Sequence, residues 1–136
     1  MKITALSRLN NKPEESVRQA LLKAMVEQLG YPRQLLAVEK ELSQLPHLQN
    51  QSGLPKRRAD ILCFGKDIHP HYPLFPLLLI ECKAGKIGFD AEQQALGYNH
   101  FVQAPYVALA NLDGPRLIFP QKVPFLPTFQ QLMTLL

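Results

Sequence analysis

The segment "PLLLIECKAG", residues 76–85, constrains the fold more than any other part of this 136-residue chain. Its four consecutive apolar residues indicate a strand that is buried in the middle of a sheet. The strand runs directly into Glu81 and Lys83, an acid and a base separated by one residue. Because alternate residues of a strand point to the same side, these two side chains share one face and Cys82 lies on the other.

The patterns on either side of this strand predict the rest of the fold. Residues 13–32 predict a helix, because Pro13 suits a first helical turn and Gly30 with Pro32 ends it. The helical spacing of Val17, Leu21 and Met25 predicts its core-facing side. The later elements are, in chain order, strands over 35–42, 57–64 and 77–84, a helix over 90–103 capped by Asp90, a strand over 104–114, a short fifth strand over 115–120 and a final short helix within 124–136. The order α-β-β-β-α-β implies an α/β fold with a mixed four- to five-stranded sheet flanked by helices.

Length and composition limit the class of protein. The hydrophobic content of 46% and the charged content of 19% predict a folded domain. We expect one domain over residues 1–136, with a loose lead-in over 1–12 and a C-terminal extension over 116–136. The sequence has neither an apolar run of roughly 18 residues nor a secretory h-region, so we expect no membrane span and a cytoplasmic location. The net charge of +4 permits a polyanionic partner.

Asp60, on the strand before Glu81, offers a second carboxylate for the same face. If the two strands pair as a hairpin, Asp60 lies across from Glu81 and Lys83. Mg²⁺ prefers oxygen ligands and is usually held by one or two carboxylates with water and phosphate. Lys83 could then orient an attacking water or stabilise developing charge, and Glu14 on the first helix could supply a third acid. The same acid–base pair could instead be a solvated ion pair, which is usually worth little.

Four blocks of the sequence resemble a known family in both content and order. They are "KPEESVRQALLKAMVEQLGYP", "RRADILCF", "PLLLIECKAG" and "QALGYNHFVQAPYVALANLDG". Together they resemble the N-terminal nuclease domain of type I restriction enzyme R subunits and of short stand-alone relatives. Asp60 followed by Glu81-Cys82-Lys83 is similar to the D…(D/E)xK motif of the PD-(D/E)XK nuclease superfamily, with Ala59 in place of the usual proline.

The resemblance, which covers roughly residues 12–115, implies a fold and a set of roles. The fold is a restriction-endonuclease-like core. Asp60 and Glu81 would be ligands of Mg²⁺ or Mn²⁺, and Lys83 would be the catalytic lysine. The acid on the first helix would be Glu14, or alternatively Glu15.

The family's QxxxY motif falls on Gln94 and Tyr98. Residues spaced i and i+4 occupy one face of a helix, so both could reach the active site or the DNA backbone. Without the resemblance, both would be ordinary residues of a helix that borders the core. Arg57 and Arg58, just before the motif aspartate, could contact phosphates, or could equally form a strand-edge charge cluster.

These observations lead to a hypothesis and an alternative. The hypothesis is a metal-dependent DNA endonuclease of the restriction, defence or DNA-repair kind. The alternative is a catalytically silent DNA-binding or assembly module of a larger restriction-type complex. The expected partners are DNA, other subunits of such a complex and, for double-strand cleavage, a second copy of the chain. The sequence contains no GxxxxGK[ST] pattern, so we expect no ATP-driven translocation from it, and nothing in it separates DNA from RNA as the substrate.

Overall fold

The apolar run at residues 77–80 lies in the central strand of a five-stranded sheet, as its sequence predicts. The structure is a computed structural model that describes residues 13–136, so the predicted lead-in over 1–12 lies outside the described residues. The elements are α1 (Pro13–Gln28), β1 (Leu36–Glu41), β2 (Arg58–Lys66), β3 (Leu74–Cys82), α2 (Phe89–Val102), β4 (Tyr106–Asn111), β5 (Gly114–Phe119) and α3 (Phe129–Thr134). Three short 3₁₀ turns flank β1 within residues 33–48.

The strands lie side by side in chain order, β1-β2-β3-β4-β5. The first three form an antiparallel meander, and β4 runs parallel to β3 because α2 carries the chain back across the sheet. β5 returns antiparallel to β4. This confirms the predicted α/β fold with a mixed sheet flanked by helices, which is compatible with a restriction-endonuclease-like core. No helix within residues 13–136 has both the length and the apolar character of a membrane span.

Each face of the sheet carries its own hydrophobic core. On one face, Val17, Leu21 and Met25 of α1 are fully buried against side chains of β2 and β3 such as Ile80. On the other face, α2 covers a cluster that includes Leu79. Complete burial of one such side chain contributes roughly 1.5–3 kcal/mol, so the apolar strand β3 anchors both layers.

The start of α2 differs from the sequence prediction. The helix begins at Phe89 with Gly88 at its N-cap, and Asp90 lies in the first turn instead of at the cap. A carboxylate in the first turn still stabilises the positive end of the helix dipole, which explains the acidic residue there.

The C-terminal residues pack on the α1 core. Tyr31 donates a hydrogen bond from its hydroxyl to the carbonyl of Pro127 at 2.6 Å, and the Tyr106 hydroxyl donates to the carbonyl of Leu132 at 3.0 Å. Leu126 and Leu132 belong to the core on the α1 side of the sheet. The segment over 116–136, which the sequence suggested as an extension, therefore supplies most of β5 and all of α3 to the packed structure.

Candidate active site

The pairing of β2 with β3 places Asp60 beside Glu81. Ile61 lies opposite Ile80, so Asp60 and Glu81 are the next residues outward along the same antiparallel pair. The backbone N–H of Asp60 donates to Glu81 Oε2 at 3.4 Å, and the backbone N–H of Cys82 donates to Asp60 Oδ2 at 2.8 Å. These backbone contacts fix both carboxyl groups at the edge of the sheet where β3 ends.

Glu81 is a carboxyl group buried almost completely from water. Its side chain is 2% exposed, and its Oε1 atom has no hydrogen-bond partner. Burial, then the hydrogen bond and the negative charge of Asp60, raise the pKa of Glu81 from 4.5 to about 8, against the opposing charge of Arg57. A buried oxygen without a hydrogen-bond partner costs free energy, which a positively charged ligand would recover.

The regular alternation of β2 is interrupted at Asp60. Ala59 and Leu62 both pack in the core on the α2 side, although strict alternation would place them on opposite faces. On β1, the residue opposite Asp60 is Glu39, which the ladder skips and whose φ of 51° is left-handed. This conformation costs a residue with a side chain about 1–2 kcal/mol. The irregularity leaves Asp60 accessible from the α1 side of the sheet.

An open cleft of about 480 Å³ lies between Asp60 and the first turn of α1, and Glu14 and Glu15 both line it. Glu15 lies 3.5 Å from Arg18, and the negative charge of Glu14 reaches the end of β3. There, burial raises the pKa of the Cys82 thiol, and the charges of Asp60, Glu81 and Glu14 raise it further. Glu14 and Glu15 therefore both lie at the cleft beside Asp60.

Lys83 follows β3 directly and is half-buried. Its backbone N–H donates to the carbonyl of Ala110 at 2.8 Å, which continues the parallel pairing of β3 with β4 for one more residue. The loop after Lys83 is held by Asn111, whose side-chain amide donates to the carbonyl of Gly85 at 3.0 Å. The lysine therefore projects from a backbone that is fixed on both sides.

The arginines and the QxxxY residues occupy different positions. Arg57 joins the site: its Nη2 atom lies 3.4 Å from Glu81 Oε1, and its guanidinium lies over the ring of Tyr98 at 4.8 Å. Arg58 lies instead 3.5 Å from Glu41 of β1. Tyr98 is buried, whereas Gln94 is exposed on α2. The structure thus brings Arg57 and Tyr98 to Glu81, and it places Arg58 at the β1 side.

Asp60 and Glu81 are the residues that could hold a divalent metal ion. Their donors are carboxylate oxygens, one of them the buried oxygen without a hydrogen-bond partner, and this donor set suits Mg²⁺. Within the described part of the chain, no three acidic, histidine or cysteine side chains form a group that could hold a metal ion. Glu14 therefore lines the same cleft without completing a three-ligand group, and the two carboxylates leave room for water and phosphate.

A family model described as the N terminus of type I restriction enzyme R proteins matches residues 13–122, most of the chain. The chain belongs to the type I restriction enzyme R protein N-terminus family. The match spans α1, the complete sheet and α2, and therefore every residue of the site described above. It supports a restriction-related role for the chain. Searches of curated proteins and of solved structures returned no match.

Two residues at the cleft of this R protein N-terminus domain were not predicted as site residues. Arg18 is 14% exposed and lies 2.8 Å from Glu39, and both line the cleft with Asp60. A signal for Arg18 was present, because it lies four residues after Glu14 and so shares its helix face. The sequence carries no such signal for Glu39, since its position depends on the irregular pairing of β1 with β2.

Proposed function

We propose that this member of the R protein N-terminus family is a metal-dependent deoxyribonuclease that hydrolyses phosphodiester bonds in restriction or a related DNA-processing role. One observation carries the proposal. The carboxyl group of Glu81 is buried beside Asp60 at the end of a central strand, and its Oε1 atom has no hydrogen-bond partner. A purely structural role gives no reason to bury a carboxyl group against another carboxylate, because each raises the cost of ionising the other.

In this proposal, Asp60 and Glu81 hold Mg²⁺ or Mn²⁺, and Glu14 assists from the first turn of α1. The bound ion would supply Lewis-acid activation of water and neutralisation of phosphate charge. The backbone N–H of Cys82 holds the Asp60 carboxylate by a bond of 2.8 Å, so this ligand does not need to be ordered when the ion arrives. The cleft between Asp60 and α1 would let water and substrate reach the Asp60 carboxylate.

The remaining residues of the site would contact the attacking water and the substrate. Lys83, two residues after Glu81, would hold the attacking water by its ammonium group or stabilise charge on the phosphate oxygens. Arg57 presents a planar guanidinium suited to bidentate phosphate contacts. The ring of Tyr98 packs against the Arg57 guanidinium. Gln94 is exposed one turn earlier on α2 and would contact the DNA backbone.

A second candidate is a DNA-binding or assembly module without catalysis. It is favoured by the observation that the Arg57 guanidinium already lies 3.4 Å from Glu81 Oε1 and supplies a positive charge there. This module would use the arginines and the basic charge of the chain to bind DNA, and would act with other subunits of a restriction complex. The two candidates predict different outcomes for metal-dependent cleavage.

The test is cleavage of plasmid, single-stranded DNA and RNA with Mg²⁺ or Mn²⁺, comparing the wild type with Lys83→Ala. The matched control is Lys66→Ala, an equal change of charge at the exposed opposite end of β2. Metal-dependent DNA cleavage that Lys83→Ala abolishes and Lys66→Ala retains would support the nuclease. A folded wild type that binds DNA and does not cleave it would support the module. Cleavage restricted to RNA would refute the proposed substrate.

A further inference from the structure

Arg57 points its positive charge at Glu81 Oε1, a buried oxygen without a hydrogen-bond partner. Its Nη2 atom lies 3.4 Å from Glu81 Oε1, close enough for an ion pair, but the geometry does not make a hydrogen bond. The two side chains differ in exposure: Glu81 is 2% exposed and Arg57 is 40% exposed. The guanidinium therefore lies between the buried oxygen and the solvent.

Tyr98 gives Arg57 a support that does not depend on Glu81. The guanidinium carbon lies 4.8 Å from the centre of the Tyr98 ring, and the Tyr98 hydroxyl donates to the backbone carbonyl of Arg57 at 3.0 Å. A cation over an aromatic ring is stabilised by the negative charge of the ring face. Arg57 could consequently leave Glu81 Oε1 and still rest on the ring.

We propose that Arg57 and the divalent cation compete for Glu81 Oε1, and that the guanidinium released by the cation binds the substrate phosphate. This inference rests on the proposed function. Both partners of Oε1 are positively charged and repel each other at contact distance, so each weakens the binding of the other to this oxygen. Arg57 thus lowers the affinity for the cation until a phosphate offers the guanidinium another partner.

The exchange of partners at Glu81 Oε1 couples the binding of phosphate to the binding of the cation. Phosphate binding draws Arg57 from Glu81, which opens Oε1, and cation binding frees Arg57 for the phosphate. By linkage, each ligand raises the affinity of the other by the same factor. A planar guanidinium matches two phosphate oxygens at once, so lysine at this position would keep the charge and lose the bidentate contact.

The experiment measures Mn²⁺ affinity by isothermal titration calorimetry in the wild type and in Arg57→Gln, Arg57→Lys and Arg58→Gln. Arg58→Gln is the matched control, because it removes the same charge from the neighbouring residue, whose guanidinium lies on Glu41. At a pH where Glu81 is ionised in both proteins, we expect Arg57→Gln to bind Mn²⁺ about tenfold more tightly than the wild type, the factor given by ~1.4 kcal/mol. Arg58→Gln should change the affinity by less than about threefold, because its charge lies farther from the cation and is screened by solvent.

DNA cleavage at saturating Mn²⁺ tests the second half of the inference. Arg57→Gln and Arg57→Lys should both cleave about tenfold to hundredfold more slowly, since each loses a charge-assisted bidentate contact. Mn²⁺ binding by Arg57→Gln that is no tighter than binding by Arg58→Gln would overturn the competition. Cleavage by both Arg57 variants at the wild-type rate would overturn the phosphate contact.

Failure of the proposed function is a separate result. A wild type that neither binds Mn²⁺ nor cleaves DNA would refute the proposed nuclease. If Arg57→Gln also binds no Mn²⁺, the competition between Arg57 and the cation is refuted as well. A wild type that binds Mn²⁺ and cleaves DNA, with unchanged affinity in Arg57→Gln, would refute the inference alone. Circular dichroism establishes that each variant is folded, and Arg57→Lys remains informative if Arg57→Gln does not fold.

Discussion

Replacing Glu81 with glutamine should stabilise the folded protein at neutral and alkaline pH. The folded protein keeps a proton on Glu81 up to a pH of about 8, whereas an unperturbed glutamate releases it near 4.5. Burial is the largest cause, followed by the hydrogen bond to Asp60 and the charge of Asp60. Between these two pH values the folded state binds more protons than the unfolded chain, so the free energy of unfolding falls as the pH rises.

The size of the effect follows from the two pKa values. Where one proton is bound only in the folded state, the free energy of unfolding falls by ~1.4 kcal/mol for each unit by which the pH rises. Glutamine has nearly the same shape and does not titrate, so Glu81→Gln removes this contribution. The difference in stability between the variant and the wild type should be small below pH 4.5, rise through the neutral range, and level off at several kcal/mol above about pH 8.

The assay is urea unfolding of both proteins, without added metal, at half-unit steps from pH 4 to pH 9. Subtracting the two curves cancels every other titrating group. Glu27→Gln on the exposed face of α1 makes the same chemical change without burial and serves as the control. A difference curve for Glu81→Gln that is as flat as the control curve would refute the reasoning, because Glu81 would then ionise in the fold as it does in the unfolded chain.

Binding of Mn²⁺ should restore part of the stability that the wild type loses when Glu81 ionises. A cation that binds the carboxylate form stabilises the fold by about 2.7 kcal/mol at one hundred times its dissociation constant. Under the proposed function, saturating Mn²⁺ at pH 7 should raise the melting temperature of the wild type. Glu81→Gln should show a smaller rise or none, and an equal rise in both proteins would exclude Glu81 as a ligand.

Three further variants test the neighbours of Glu81. Asp60→Asn removes one cause of the raised Glu81 pKa. The stability difference between Asp60→Asn and the double variant with Glu81→Gln should therefore level off at a lower pH. An unchanged curve would contradict the interaction of Asp60 with Glu81. Tyr98→Phe loses the hydrogen bond to the Arg57 carbonyl and should lower the free energy of unfolding by about 1 kcal/mol in urea. Asn111→Ala should cost roughly 1–3 kcal/mol and speed hydrogen exchange in the loop after Lys83, because it removes two hydrogen bonds, one to the Gly85 carbonyl and one from the Asp113 N–H.

Much of the fold could be predicted from local patterns. The apolar run at residues 77–80 predicted a central strand, and the helical spacing of Val17, Leu21 and Met25 predicted the buried face of α1. These predictions succeed because burial of apolar side chains imposes the period of each element on its sequence. The start of α2 was missed, because Asp90 is as favourable in a first turn as at a cap.

The sequence by itself determined the composition of the candidate site. Two carboxylates and a lysine lie on adjacent strands, and the period of two residues in a strand limits which of them can share a face. The chemistry available to the site, oxygen ligands beside an ammonium group, follows from those residue types alone. Arg57 and Arg58 are neighbours with the same side chain, and the strand period places them on opposite faces without specifying which of them meets Glu81.

Only the tertiary structure decided which residues meet. The pairing of β2 with β3 brings Asp60 to Glu81, and the skipped residue Glu39 opens Asp60 towards α1. The packing of α2 places the Tyr98 ring against the Arg57 guanidinium. Arg58 forms an ion pair with Glu41 instead. Burial of Glu81 and its raised pKa arise from layers that the chain assembles from distant segments. The physical reason is that desolvation and contact between charges depend on three-dimensional neighbours, which no local period of the sequence specifies.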